Sequence, residues 1–399
     1  MDNVKLALID LVNEVIGTKS DVNTNRLIEL DENGWDLLYK ESINHQVHLM
    51  IYNAVKNSPY IPLSLNKEWN NIYKFTSVRD AFKLSCMEKI LQRFSELGIP
   101  VILLKGLYFK DLYPVPIART MCDIDLLIDK HHLNNAIKLI KEFGYINIEN
   151  DRTGMHYCFT HEKYIPIELH YSLVRSVNFK QVKDLNRVIW DKTNEFHYKN
   201  SLCLVPSDVN MAIYTCFHMA NHYMYVGGGF GIRQLCDLIL HINKNFDDEK
   251  WSSFIYKSNE LGIISFTLGI IAVCMKYFFL YVPEFVSKII ELDNELVDDF
   301  FDEIFKSGAY GYSSTVESSN KALSQYSENI NIIRFLFPPR RNLADAYYYA
   351  RNNLLLLPIA WVHRFINNII RKDISVIEKF PRFDIIKRHK RLVNWLKLK

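Results

Sequence analysis

The stretch ARTMCDIDLLID, residues 118–129, sets Asp123 and Asp125 two positions apart where a short apolar run begins, with Arg119 four positions upstream. Residues two apart in a strand project to the same face. The spacing therefore predicts a strand over 123–128 whose aspartates point together while Ile124 turns into the sheet. A later stretch, IPIELHYS, carries Glu168 between Ile167 and Leu169. Carboxylates gathered on one side of a small sheet repel unless a cation lies among them. Oxygen donors of this kind suit Mg²⁺, and with phosphates bound they hold two such ions. Lys105-Gly106, between the apolar IPVILL and the stretch LYFKDLY, offers an ammonium and open backbone N–H groups to an anion. Arg119 adds a guanidinium able to grip a phosphate through two hydrogen bonds. Metal-binding acids beside phosphate-binding bases fit phosphoryl or nucleotidyl transfer. A lone D-x-D arises at any acidic strand end, so order and context carry the reading.

Other residues have a plain alternative beside a functional one. His170 lies two after Glu168 on the same strand face, as a positioning group or a structural histidine. His218 and His222, four apart on a helix, lack an H-E-x-x-H pattern and further ligands for zinc, so they read as core or acceptor-pocket histidines. Arg233 and Asp237, also four apart, read as an intrahelical pair, or as groups lining the acceptor side. GGGFG, residues 227–231, lacks the strand-before, helix-after context of a dinucleotide loop and reads as a flexible connection. His131-His132 start a helix. Phosphatases of the haloacid dehalogenase type and many glycosyltransferases place an apolar strand before their D-x-D. Here ARTMC precedes the aspartates and LLI follows, which disfavours both.

The elements that must position these groups follow from pattern. Residues 1–98 read as helices with apolar positions three and four apart, closed by Gly98 and Pro100. Residues 99–178 read as an α/β core: strands at 99–104, 123–128 and 145–148, a helix at 131–144, and a hairpin turning at 161–163 with its return strand over 165–173. Residues 179–399 read as helices. The fold class expected is α+β, a small mixed sheet flanked by N-terminal helices and a larger C-terminal helical region. With 399 residues, 23 tyrosines and 24 phenylalanines, the chain can bury a sizeable core. A net charge of +3 is too mild for a nucleic-acid partner. Seven cysteines scattered singly, and an acidic amphipathic start unlike a secretory leader, point to reduced thiols in the cytoplasm. Residues 261–275 lack charge, but fifteen is short for a membrane span, so a buried helix is expected. The basic tail, from Arg340 onward, reads as amphipathic helices. These either pack on the core or lie on the inner face of a membrane as a peripheral contact.

The order strand, glycine, helix, D-x-D, strand and later acidic strand resembles the nucleotidyltransferase superfamily that includes polymerase β and the aminoglycoside nucleotidyltransferases. More closely, LLKGLYFKDLYPVPIARTMCDIDLLI resembles a family of largely uncharacterised bacterial nucleotidyltransferases, through Leu104-Lys105-Gly106, Tyr113-Pro114, Arg119 to Asp125, and IELH at 167–170. HMANHYM and GIRQLCDL look like that family's downstream half. The resemblance implies in-line attack on the α-phosphate of a nucleoside triphosphate such as ATP, with release of pyrophosphate. Asp123 and Asp125 would hold Mg²⁺, two ions with Mn²⁺ as a substitute, and Glu168 would complete the acceptor-side metal and take the acceptor's proton. The acceptor implied is a sugar, a glycan intermediate or a peptide. Rival readings are a non-catalytic nucleotide-binding or regulatory module and a metal-dependent glycosyltransferase. One departure stands out: Leu107 follows Gly106 where the superfamily has serine or glycine. The phosphate grip then falls to backbone, Lys105 or Arg119.

Overall fold

The computed structural model describes residues 3–18, 24–150, 155–173, 185–224, 228–290, 293–311, 337, 339–340, 343, 347–370 and 383–398. Its centre is a mixed seven-stranded sheet in the order β3-β4-β5-β2-β1-β7-β6. The strands are β1 (Val101–Leu103), β2 (Ile124–Ile128), β3 (Ile146–Asn150), β4 (His156–Thr160), β5 (Ile167–His170), β6 (Thr193–Tyr198) and β7 (Ser201–Pro206). β2 pairs in parallel with β5 and β1 with β7; the other neighbours are antiparallel.

Period-two alternation gives the sheet two unlike faces. Val101, Leu103, Ile124, Leu126, Ile128, Phe159, Ile167, Leu169, Cys203 and Val205 turn to one side. There they pack on Met87, Ile90, Leu91 and Phe94 of the Met87–Glu96 helix, and on Ala136, Leu139 and Ile140 of the Leu133–Glu142 helix. Each large apolar side chain buried this way stabilises the fold by roughly 1.5–3 kcal/mol. Both helices end at a glycine with positive φ, Gly98 at +62° and Gly144 at +85°, which reverses the chain into β1 and β3 respectively. The opposite face carries Asp125, Glu168 and His170 between the apolar residues Ile102, Leu104 and Leu127.

That second face meets a larger core built from both ends of the chain. Asn3–Val15, Glu32–Asn44 and His48–Val55 pack with Asp208–Met224, Ile232–Asn245, Ile264–Phe278, Asn294–Ser307 and Phe383–Trp395. Asn13 Nδ2, for instance, donates to the Tyr277 carbonyl at 2.9 Å. The uncharged stretch lies mostly in the Ile264–Phe278 helix, ten of whose residues are buried. Among the described residues no helix is long and apolar enough to cross a membrane. In the tail, Phe383–Trp395 buries Ile386, Leu392 and Val393, while the Leu357–Ile370 helix leaves Ile359, Val362 and Ile366 exposed. Residues 371–382 of the tail lie outside the described residues.

Three expectations need correction. The chain does not return to helices alone after 178: β6 and β7 form a hairpin there, and β7 extends the sheet beside β1. The return strand is shorter than 165–173, because β5 ends at His170. The glycine-rich stretch is not a loose connection. A Cβ on Gly229 would sit 2.3 Å from Ser307 Cβ, and one on Gly231 would sit 2.8 Å from Ala309 N, so these glycines permit close packing of two chain segments. Gly227 lies outside the described residues.

Candidate active site

Asp125 is the hub. Its strand position pairs with Glu168 in the parallel β2–β5 ladder, so both carboxylates leave the sheet on one face, side by side. His170, two further along β5, shares that face: its Nε2 lies 3.1 Å from Asp125 Oδ1 and 3.4 Å from Glu168 Oε2. Lys105 reaches the other oxygen, with Nζ 3.0 Å from Asp125 Oδ2. It is aimed there by the turn at Gly106, whose φ of +44° suits glycine and where a Cβ would approach Met121 Sδ to 3.3 Å. Lys105 Nζ also donates to His218 Nε2 at 2.8 Å, and His222 Nε2 lies 3.1 Å from that same atom.

The charges explain the titration. Burial works to raise the Asp125 pKa, but Lys105 and His170 overcome it and hold the carboxyl well below the usual range. Burial works to raise Glu168 and the Asp125 charge adds to it, but the His170 hydrogen bond together with the charges of His170 and His156 holds it below its usual value. His170 is pushed up to about 9, since burial is outweighed by the two carboxylates it serves. Asp123 goes the other way. Burial and then the Asp125 charge push it up to about 6, with Glu168 adding to the repulsion and Lys105 and Arg233 opposing it. Asp123 makes no ion pair among the described residues. His218 is driven well below 6.5 by burial and by the nearby Lys105 and His222, so it remains the neutral acceptor for Lys105.

The donor atoms of Asp125, Glu168 and His170 lie within 4.8 Å of one another, a separation that one cation can bridge. Asp123, beside them, is an acid raised by burial first and by the Asp125 charge second. Carboxylate oxygens clustered with one imidazole fit a hard or borderline divalent ion.

Arg119 has a different task from the one its position suggests. It is 3% exposed and donates from Nε and Nη2 to Asp237 Oδ1 and Oδ2 at 2.8 and 2.7 Å. Tyr113 OH donates to Asp237 Oδ1 at 2.7 Å. Both carboxylate oxygens and the guanidinium fork are thus engaged, which removes Arg119 as a phosphate ligand. Burial works against the Arg119 charge, and Asp237 more than restores it. Arg233 and Asp237 are accordingly not an intrahelical pair: Arg233 Nη1 donates to the Thr120 carbonyl at 3.0 Å, and its charge acts on Asp123. Asp237, 4% exposed, is closed to an acceptor. His170, His218 and Arg233 do gather around the acids, and His222 stands exposed behind His218.

Tyr214 escapes the sequence reading. It is buried, and its phenol is pushed well above 10 by burial and by the charges of Asp125, Glu168 and Asp123. The signal was present: Tyr214, His218 and His222 fall four apart along the Asp208–Met224 helix, which places them on one face.

Comparison with known proteins places the chain in a family. No curated protein matches the chain. Among solved structures, an antigenic nucleotidyltransferase-like protein from Paracoccidioides brasiliensis aligns at 15% identity over 47% of this chain and 91% of that one. Its TM-score of 0.29 is too low to argue from. Residues 31–279, more than half of the chain and all of the site just described, match the model of a family described as uncharacterised nucleotidyltransferase. The chain belongs to that nucleotidyltransferase family.

Proposed function

We propose that the protein transfers a nucleoside monophosphate from a nucleoside triphosphate to a hydroxyl-bearing acceptor, with Mg²⁺ held by Asp123, Asp125 and Glu168. The observation that carries this reading is the crowding of two half-buried acids, Asp123 and Glu168, around the buried Asp125. Asp125 and Glu168 stand side by side in register, and Asp123 next to them is raised to about 6. A fold tolerates such repulsion where a bound cation relieves it.

Bound there, Mg²⁺ would supply positive charge to the triphosphate and to the group in transfer. The chain's own residues do the rest. Lys105, at the Gly106 turn, is the cation within reach of both Asp125 and an incoming phosphate. Leu107, which follows that turn, buries its side chain and so offers no phosphate ligand. Glu168, whose side chain is 32% exposed, is the open carboxylate of the set and accepts the acceptor's proton. His170 holds Glu168 and Asp125 in place. The acceptor oxygen forms a bond to the α-phosphorus, the bridging bond to the β-phosphate breaks, and pyrophosphate leaves with that electron pair. His218, His222 and Arg233 line the acceptor side. A triphosphate donor, together with seven free cysteines, suits the cytoplasm.

The test is a thermal-shift series with the four ribonucleoside triphosphates and with nucleotide-sugars, each with Mg²⁺, followed by pyrophosphate release. Stabilisation by a triphosphate, lost in Asp125→Asn, is expected; about 2.7 kcal/mol accrues at a hundredfold excess over Kd. Response to nucleotide-sugars alone would assign the site to sugar transfer. Triphosphate binding with no pyrophosphate release from any acceptor would assign it to a binding module.

A further inference from the structure

The face that carries Glu168 and His170 extends across one more strand. β4 runs antiparallel to β5, with Cys158 opposite Glu168 and His156 opposite His170. The sequence pairs H-x-C with E-x-H, and period-two alternation therefore sets all four donors on one side of the sheet. The imidazole nitrogen of His156, the sulfur of Cys158 and a carboxylate oxygen of Glu168 lie within 4.8 Å of one another, each side chain partly open to solvent. The His156 and His170 rings stand 4.9 Å apart.

This set differs in kind from the Asp125, Glu168 and His170 set. It offers nitrogen, sulfur and oxygen, where the first offers two carboxylates and one nitrogen. Thiolate and imidazole select late first-row ions over Mg²⁺. We infer that His156, Cys158 and Glu168 form a second cation site that takes a divalent ion of the Zn²⁺ class, with Glu168 shared between the two sets. On the transfer reading above, an ion bound here draws Glu168 away from the acceptor, so the site sets how the protein responds to zinc.

Co²⁺ is the probe, because a thiolate bound to it gives a charge-transfer absorbance in the near ultraviolet. Among the seven cysteines, Cys122 is exposed and Cys158 half-buried, while the other five are buried. Titration of the full chain with Co²⁺ is expected to produce the band in the wild type, in Cys122→Ser and in Asp123→Asn, and to lose it in Cys158→Ser. Far-UV circular dichroism confirms that each variant is folded. If Cys158→Ser does not fold, His156→Gln carries the test, and an undiminished band at unchanged affinity overturns the site. Absence of the band in the wild type, or its persistence in folded Cys158→Ser, also overturns it. Wild-type binding through Cys158, with no pyrophosphate released from any triphosphate, would sink the transfer reading and leave this site standing.

Discussion

Two buried charge clusters lie on the same side of the sheet, and they are built on opposite terms. In the first, Arg119 meets Asp237 through two parallel hydrogen bonds, and Tyr113 donates to the same carboxylate. One positive and one negative charge cancel, and each oxygen has a partner. In the second, Asp123, Asp125 and Glu168 are served at close range by Lys105 and His170, and Asp123 is left raised to about 6. The first cluster is closed and stabilises; the second leaves Asp123 with no ion pair among the described residues and is poised for a ligand. The closed cluster has a positional role. It ties Tyr113 and Arg119, at either end of the segment leading to Asp123, to the Ile232–Asn245 helix.

The largest effect is expected from breaking the closed cluster. Asp237→Ala leaves Arg119 buried without its partner, and urea unfolding should show a loss of about 3–5 kcal/mol. Asp123→Asn acts on the other cluster and should separate activity from stability. Pyrophosphate release should fall by roughly 100–1,000-fold, the cost of removing a group that stabilises transition-state charge. The unfolding midpoint should stay level or rise, because repulsion with Asp125 is removed. Tyr113→Phe removes one hydrogen bond to a charged acceptor and should cost about 1.5–3 kcal/mol of stability, with the Arg119–Asp237 pair intact. Gly106→Ala sharpens the comparison from the site's side. With φ +44° and ψ −96°, Gly106 lies outside the regions an L side chain populates, and alanine there costs about 1–3 kcal/mol. The turn that aims Lys105 shifts as well, so nucleotide affinity should fall alongside the melting temperature. A Gly106→Ala protein with unchanged nucleotide affinity would remove Lys105's turn from the proposal.

The contrast also shows what a sequence reveals. Part of the open cluster was legible because strand periodicity is local: E-x-H in β5, in register with Asp125 of β2, sets its donors on one face, whereas Asp123, expected to open that strand, lies one residue before β2. The closed cluster was misread because its partners are 118 positions apart. Arg233 and Asp237, four apart on a helix, looked like a pair worth a few tenths of a kcal/mol. A buried bidentate contact with Arg119 outcompetes that. The β6–β7 hairpin was missed for a related reason. Thr193–Tyr198 buries none of its six residues fully, and its turn places Lys199, at φ +53°, where Asn-Gly or Asp-Gly would announce a hairpin. Gly229 and Gly231 read as flexible because composition does not show that Ser307 and Ala309 pack against them.

The half-buried acid Asp123, which has no ion pair among the described residues, is the point on which the proposal turns, and Mg²⁺ titration of urea stability tests it most directly. Wild type and Asp123→Asn are compared in rising MgCl₂ against choline chloride of matched ionic strength. The expected result is a saturable gain for the wild type that the variant lacks. Equal curves for the two proteins, or a wild-type response no greater than that to choline, would contradict a cation site built on these acids.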